Sequence, residues 1–327
     1  PIFSLLCIMV DASPGKSIFV LDNKPWGNDG WDLSKRGYGT WNIVITEGRG
    51  IGQRRNITSS DRNTRTMKID RPWDIIPDST SKFTVYLPED HISYYKNTVS
   101  DCSWAFLLYG GGYDNVISYN EGYNMQGIDM CAILKESYED NSGDNMDNRV
   151  WFHYFTRCAG NKFIGPSWKS KVVGITLNVK YEMGDLNSRY AYGIEIKNNY
   201  IEGDGTTGDD VAAHLDKLIK EGAKSVGYAA YNGIGLRFLN SKKLPVDKKQ
   251  GQAIIIQNNI MKNLDRGITF GGDRYSSDKD ANYVNNYACS NTAGVILKGN
   301  EFENVGEPYI RYNDTNTVFL DGAEENK

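Results

Sequence analysis

The 327 residues show little bias of charge: 37 Lys and Arg stand against 41 Asp and Glu, for a net charge of -4 and a pI near 5.6. A chain without a basic excess has no general footprint for nucleic acid, although a local basic groove facing an anionic polymer fits within that average. No apolar run reaches the length of a membrane span. Ile2 to Val10 is apolar, but no basic segment precedes it and Asp11 follows, so it reads as a strand rather than a signal peptide. The chain opens on Pro1 rather than Met, which implies a missing N-terminal portion or a longer parent protein. The five cysteines, Cys7, Cys102, Cys131, Cys158 and Cys289, have no metal-type spacing and are odd in number. They read as small buried hydrophobes and do not settle the compartment. Helical periodicity is almost missing as well.

What the sequence does contain is repetition. Gly193 to Gly203 reads Gly-Ile-Glu-Ile-Lys-Asn-Asn-Tyr-Ile-Glu-Gly, and the pattern returns at Ala253 to Asn263 and Gly294 to Asn304. In each, two apolar residues alternate, an Asn follows three residues later (Asn199, Asn259, Asn300), and an apolar residue sits two beyond it. That is a strand, a tight bend and a second strand, with Asn suited to the bend by its tolerance of a left-handed backbone. Stacked from turn to turn, its amide can form a hydrogen-bonded ladder. A second motif, small-apolar-x-apolar, occurs at Ala105-Phe-Leu-Leu108, Gly127-Ile-Asp-Met130, Gly174-Ile-Thr-Leu177, Gly233-Ile-Gly-Leu236 and Gly267-Ile-Thr-Phe270. Trp151-Phe-His-Tyr154 reads as a bulkier version, which gives steps of 22, 24 and 23 residues from Ala105 to Gly174. Fixed periods in this range signal a solenoid, here built of strands.

The alternation of Gly-Ile-x-Leu strands with Ile-x-x-Asn-x-Ile bends resembles the right-handed parallel β-helix of the pectate-lyase-like superfamily, over roughly residues 40 to 320. The resemblance implies an all-β solenoid of about ten turns in one domain spanning 1–327. It also implies a carbohydrate-active protein: lyase, glycoside hydrolase, pectin esterase or phage tailspike. No catalytic signature of a member aligns with the chain, so no residue role is carried over.

In chain order, residues 1–17 are expected to cap the N-terminal end of the coil, with strands near Ile18 to Leu21, Ile43 to Ile45, Met67 to Ile69 and Phe83 to Tyr86. Gly48-Arg-Gly-Ile-Gly-Gln-Arg-Arg55 resembles a phosphate-binding loop only in composition. It lacks the strand-loop-helix context, and reads as a crowded turn exposing Gln53, Arg54 and Arg55. Insertions at 131–149, 178–190, 239–250 and 271–291 follow the Gly-Ile strands, so they leave the coil at one corner and gather on one side. Within the insertion at 204–230, Asp209 to Glu221 has an apolar helical face and Gly222 after its end; His214 beside that face reads as structural. Residues 321–327 are expected to be a disordered tail.

In a Gly-Ile-x-Leu strand the x residue points outward. This places Asp129 and His153 side by side on neighbouring turns about 4.8 Å apart, a carboxylate and an imidazole suited to general acid/base work. Glu182 and Asp185 in the next loop are candidates for the second carboxylate that a glycoside hydrolase needs. Glu195 is a further catalytic candidate on a different face. Trp73, Arg54, Tyr113, Lys135 and Arg157 are candidates for substrate binding, and 21 Tyr with 7 Trp offer platforms for sugar faces. No cofactor is expected; the oxygen-rich stretch holding Asp140, Asp144 and Asp147 is the one candidate for Ca2+, without EF-hand spacing.

These readings converge on a secreted or extracellular protein, a monomer rather than a trimer, that acts on a polysaccharide in a groove, with neither nucleic acid nor membrane as partner. Glycoside hydrolysis is the first expectation. A lyase on a uronic-acid polymer, which would use a Lys, Arg or Tyr base, and a non-catalytic carbohydrate-binding β-helix are the alternatives.

Overall fold

The computed structural model describes residues 7–12, 18–21, 41–61, 66–86, 89–102, 104–109, 112–135, 138–139, 145–146, 149–150, 152–165, 174–181, 191–205, 207, 210, 213, 217, 220–221, 232–238, 251–270, 292–311, 318–320 and 323–324. They divide into an antiparallel barrel and a parallel β-helix. The barrel takes six strands, β1 (Cys7–Ala12), β2 (Ile18–Leu21), β3 (Asn42–Glu47), β4 (Arg54–Asp61), β5 (Thr66–Ile69) and β6 (Lys82–Tyr86), closed in the order β1-β2-β5-β4-β3-β6. The strands expected here exist, but as hairpin partners rather than coils: β3 runs antiparallel to both β4 and β6. The solenoid starts at Glu89, not near residue 40.

From Glu89 the chain winds through coils of four strands. The first coil is Glu89–Asp90, Ser93–Tyr95, Thr98–Ser100 and Trp104–Tyr109; the second is Gly112–Tyr113, Val116–Ser118, Glu121–Tyr123 and Gln126–Lys135. First and second strands of successive coils stack in one parallel sheet, third and fourth in another. Second strands stack as Ser93–Tyr95, Val116–Ser118, Arg157–Ala159, Glu195–Lys197, the end of Gly251–Gln257, Thr292–Lys298 and finally Val318–Leu320. This gives six coils and the start of a seventh among the described residues, fewer than the roughly ten turns expected. Ala323 and Glu324, expected to be disordered, pair antiparallel with Val318–Leu320.

In the first two coils three corners are each one residue with a left-handed backbone, five residues apart: His91, Lys96 and Asp101 in the first coil, Asp114, Tyr119 and Asn124 in the second. The bend of the repeat is therefore at Asn198, Asn258 and Gly299, one residue before the position expected. Asn199, Asn259 and Asn300 form the ladder instead. Asn199 Nδ2 donates to Asn259 Oδ1 at 2.9 Å and to the Cys158 carbonyl at 3.0 Å, while Asn161 Nδ2 donates to Asn199 Oδ1 at 3.0 Å. The ladder extends through Asn120 to Asn97, so it links all six coils, with its four middle amides buried where they would be costly unpaired.

Inside, Ile117, Cys158, Ile196, Ile256 and Leu297 stack in register, each buried, at about 1.5–3 kcal/mol for a large apolar side chain. Cys158 behaves as a hydrophobe, its thiol pushed up to about 12 by burial. Cys131 is buried and Cys102 exposed, so the expectation for the cysteines holds for two of the three whose surroundings are described. The Gly of each Gly-Ile-x-Leu strand is there for space rather than dihedral freedom. A β-carbon on Gly174 would lie 2.7 Å from Ile201 Cδ1, and one on Gly233 2.6 Å from Met261 Sδ.

The parallel register stacks Cys131 on Asn178 and Asn178 on Arg237, so the strands that precede the first three long insertions end at one edge of the coil. Most of the insertions themselves lie outside the described residues, as do Glu182, Asp185, Asp140, Asp144, Asp147, His214 and the side chain of Lys135. In the predicted helix, the described residues show a capping box, with the Thr207 amide donating to Asp210 Oδ2 at 3.0 Å and the Asp210 amide donating back to Thr207 Oγ1 at 3.2 Å. Near its end, the Glu221 amide donates to the Lys217 carbonyl at 3.0 Å.

Candidate functional site

Asp129 and His153 do not meet as a pair. Asp129 points out between Ile128 and Met130, both fully buried in the core, and is itself only 8% exposed. His153 belongs to the other sheet, where it stacks between Gly112 and Ala191 as the first strand of the third coil. Trp151 to Tyr154 is thus no version of Gly-Ile-x-Leu; the near-even spacing that suggested so is coincidental, since Ile128 stacks directly on Ile175. His153 is 1% exposed in a column of small residues, and burial pushes its pKa down to about 4, against a weaker opposing contact with the Cys131 backbone. It is a neutral core residue at physiological pH.

Glu195 lies on the outer face of the second strands, where Arg157 Nε donates to its Oε2 at 2.9 Å and Lys197 Nζ stands 3.2 Å from its Oε1. Partial burial pushes its carboxyl up, but the hydrogen bonds from Lys197 and Arg157 outweigh it and hold the group ionised below its usual range. Such a carboxylate is a poor proton donor. Trp73 is buried in the barrel, with the Arg55 guanidinium 4.9 Å above its ring. The Gly48 to Arg55 hairpin exposes less than expected: Arg55 is buried, its Nη2 3.0 Å from Asp74 Oδ2 and its Nε donating to the Pro72 carbonyl at 2.9 Å.

The same hairpin brings Arg54 and Tyr113 together. The barrel sits against the flank of the coil, on the stacked column Asp90, Tyr113, Tyr154 and Tyr192. Phe152 and Tyr154 pack with Val44 and Tyr86 of the barrel in one apolar cluster. Arg54 Nε lies 2.6 Å from Asp90 Oδ2, and the Tyr86 hydroxyl donates to the same oxygen at 3.2 Å. Burial works against the Arg54 charge, but Asp90 and Tyr86 hold its pKa above the usual value; burial in turn raises Asp90 despite Arg54, and raises Tyr86 strongly. The Tyr113 hydroxyl donates to the Gly52 carbonyl at 2.9 Å.

Beside this junction opens a pocket of about 360 Å3 between the hairpin and the coil corners. Tyr113, Phe155 and Tyr192 form its aromatic wall, with Phe155 edge-on to Tyr113 at 5.3 Å and to Tyr192 at 5.6 Å. Arg54, Arg71, Asp74 and His91 supply its polar groups. Arg54 and Arg55 are tied inward, whereas Arg71 is exposed and has no partner among the described residues. His91 Nε2 stands 3.4 Å from Asp114 Oδ2, both exposed. A carboxylate and an imidazole on adjacent coils therefore do exist, at the corners rather than on the fourth strands.

Phe155 holds a left-handed backbone, φ 54°, where its neighbours in the corner column are His91, Asp114, Gly193 and Ala253. An aromatic residue there costs about 1–2 kcal/mol of backbone strain relative to glycine. The ring is 37% exposed. The sequence reading found Arg54 and Tyr113 but not Phe155, Tyr192, Arg71 or His91. The signal that would have found Phe155, Tyr192 and His91 is the five-residue rhythm of corners, which aligns Phe155 with Asp114 and His91; Arg71 lies outside the coils, between the fifth and sixth barrel strands, and no repeat points to it. Among the described residues no three of His, Cys, Asp and Glu come together as a metal site.

No family model matches the sequence, and no curated protein matches it. Among solved structures, the tailspike protein gp49 from Pseudomonas phage LKA1 is similar at 10% identity with a TM-score of 0.22, covering 92% of this chain and 64% of that one. The chain thus spans less than two thirds of that structure's length.

Proposed function

We propose that the protein is a saccharide-binding parallel β-helix, secreted or displayed at a surface, and that the pocket between barrel and coil is its binding site. The observation that carries this is Phe155: an exposed ring kept on a strained backbone at the pocket wall, where glycine or asparagine would fit the corner without strain. A half-open aromatic wall with a few convergent polar groups is the composition of a small-ligand site, and aromatic rings suit the apolar faces of pyranoses. Arg71, exposed and without a partner among the described residues, adds a cation for a hydroxyl or an acidic substituent. The test is retardation of the protein in gels containing dextran, xylan, polygalacturonate or dextran sulfate. Wild type is expected to be retarded by at least one, and Phe155→Asn, which suits the corner, to lose that retardation.

Hydrolysis is the second reading, favoured by His91 on the pocket lining with Asp114 beside it, and by Asp74, which lines the same pocket and is paired with Arg55. Following reducing ends and ultraviolet absorbance on the retarding polysaccharide separates the cases. Reducing ends lost in Asp114→Asn support hydrolysis, absorbance supports elimination, and binding with neither leaves recognition as the whole function.

A further inference from the structure

A second corner carries the same device as Phe155. Tyr119 has φ 57° and is 59% exposed; its ring lies over Gly160 of the next coil, where a β-carbon would stand 2.8 Å from Tyr119 Cε1. Phe155 lies over Gly193 in the same way, with 2.6 Å to Cδ1. In both columns an aromatic residue at a left-handed corner is followed, one coil on, by a glycine that leaves room for the ring. Tyr95, 54% exposed, stands edge-on to Tyr119 at 5.8 Å. The two aromatic corners stand at opposite ends of the column of second strands, Tyr119 after Val116–Ser118 in the second coil and Phe155 before Arg157–Ala159 in the third. Five residues separate neighbouring corners, which at about 3.3 Å each makes about 16 Å, with one coil, about 4.8 Å, between Tyr119 and Phe155 in the stacking direction. The floor between them is Val116 and Ser118 in one coil and Arg157 and Ala159 in the next. Val116, Ser118 and Ala159 are small, and Arg157, though exposed, is tied sideways to Glu195 of the next coil.

Resting on the saccharide reading of the pocket, we infer that Tyr119 and Tyr95 form a second sugar subsite, so that the ligand is an extended oligosaccharide lying across the second strands from the pocket to Tyr119. A single sugar would need the pocket alone. The pattern of strain also argues against simple packing: a core-packing role would hide the Tyr119 ring, yet it is among the most exposed large side chains.

The test uses di- and hexasaccharide fragments of whichever of the four polysaccharides retards the wild type, titrated calorimetrically into wild type, Tyr119→Asn and Phe155→Asn. Asparagine suits both corners, and thermal unfolding checks that each variant folds; Tyr95→Ser, on an exposed strand, reads the same subsite independently. Tyr119→Asn and Tyr95→Ser are expected to weaken the hexasaccharide at least tenfold and leave the disaccharide within twofold, while Phe155→Asn weakens both. If the hexasaccharide binds Tyr119→Asn and Tyr95→Ser as tightly as wild type while Phe155→Asn loses it, the second subsite is wrong and the pocket stands. Equal loss of both fragments in Tyr119→Asn also overturns the subsite. If no polysaccharide retards the wild type, or Phe155→Asn changes nothing, the pocket reading falls and the subsite with it.

Discussion

The ring of Phe155 fills the place above Gly193 that a β-carbon would take, 2.6 Å from the ring's Cδ1. Gly193 also has φ 66°, so substitution there meets both a clash and a strained backbone. Gly193→Ala is expected to destabilise the protein by about 1–3 kcal/mol and to displace Phe155 from the pocket wall. Urea unfolding reads the first effect, and saccharide affinity the second. Phe155→Asn should instead alter stability by no more than about 1 kcal/mol, because relief of the corner offsets the lost ring contacts.

His153 makes stability depend on pH in a defined window. Its pKa falls from 6.5 to about 4 on folding, so the unfolded chain binds the proton more readily. The stabilisation is fully present above pH 6.5 and is lost as pH drops toward 4. The whole effect is about 3 kcal/mol. Chemical denaturation of the wild type at pH 7 and pH 4.5, compared with His153→Gln, should show a smaller fall in the variant; equal falls would remove His153 from the acid sensitivity.

The asparagine ladder should be weak at its end and strong in its middle. Asn199 is buried and accepts from Asn161 while donating to Asn259 and the Cys158 carbonyl. Asn199→Ala leaves several buried polar groups without partners, at about 3 kcal/mol or more. Asn97 is exposed in the first coil, and Asn97→Ala should cost less than about 1 kcal/mol. Similar losses at both positions would show that burial does not set the ladder's contribution.

Arg54 and Asp90 join barrel to coil through a buried contact in which the Asp90 side chain is 3% exposed. Arg54→Met alone strands that carboxylate and should cost about 3–5 kcal/mol. Adding Asp90→Asn removes the buried charge and should restore part of the loss. A thermal double-mutant cycle measures this; additive losses would mean that the two residues act independently.

The amino-acid sequence by itself determined the solenoid. Alternating apolar residues, the recurring Asn and the Gly-Ile strands are local features that each coil repeats, and they correctly placed Ile196, Ile256 and Leu297 in the core and Asn199, Asn259 and Asn300 in a ladder. Register was less legible, because the ladder steps of 23, 41, 38, 60 and 41 residues depend on how much chain each insertion takes out of the coil. A motif matched by spacing alone therefore put His153 beside Asp129, when its neighbours are Gly112 and Ala191. The antiparallel barrel also escaped, since strands of alternating apolar residues look alike whichever way their partners run. Only the tertiary structure decided the site. Arg54, Tyr113, Phe155 and Tyr192 lie far apart in the chain, and it is the docking of one hairpin against three stacked corners that makes them neighbours.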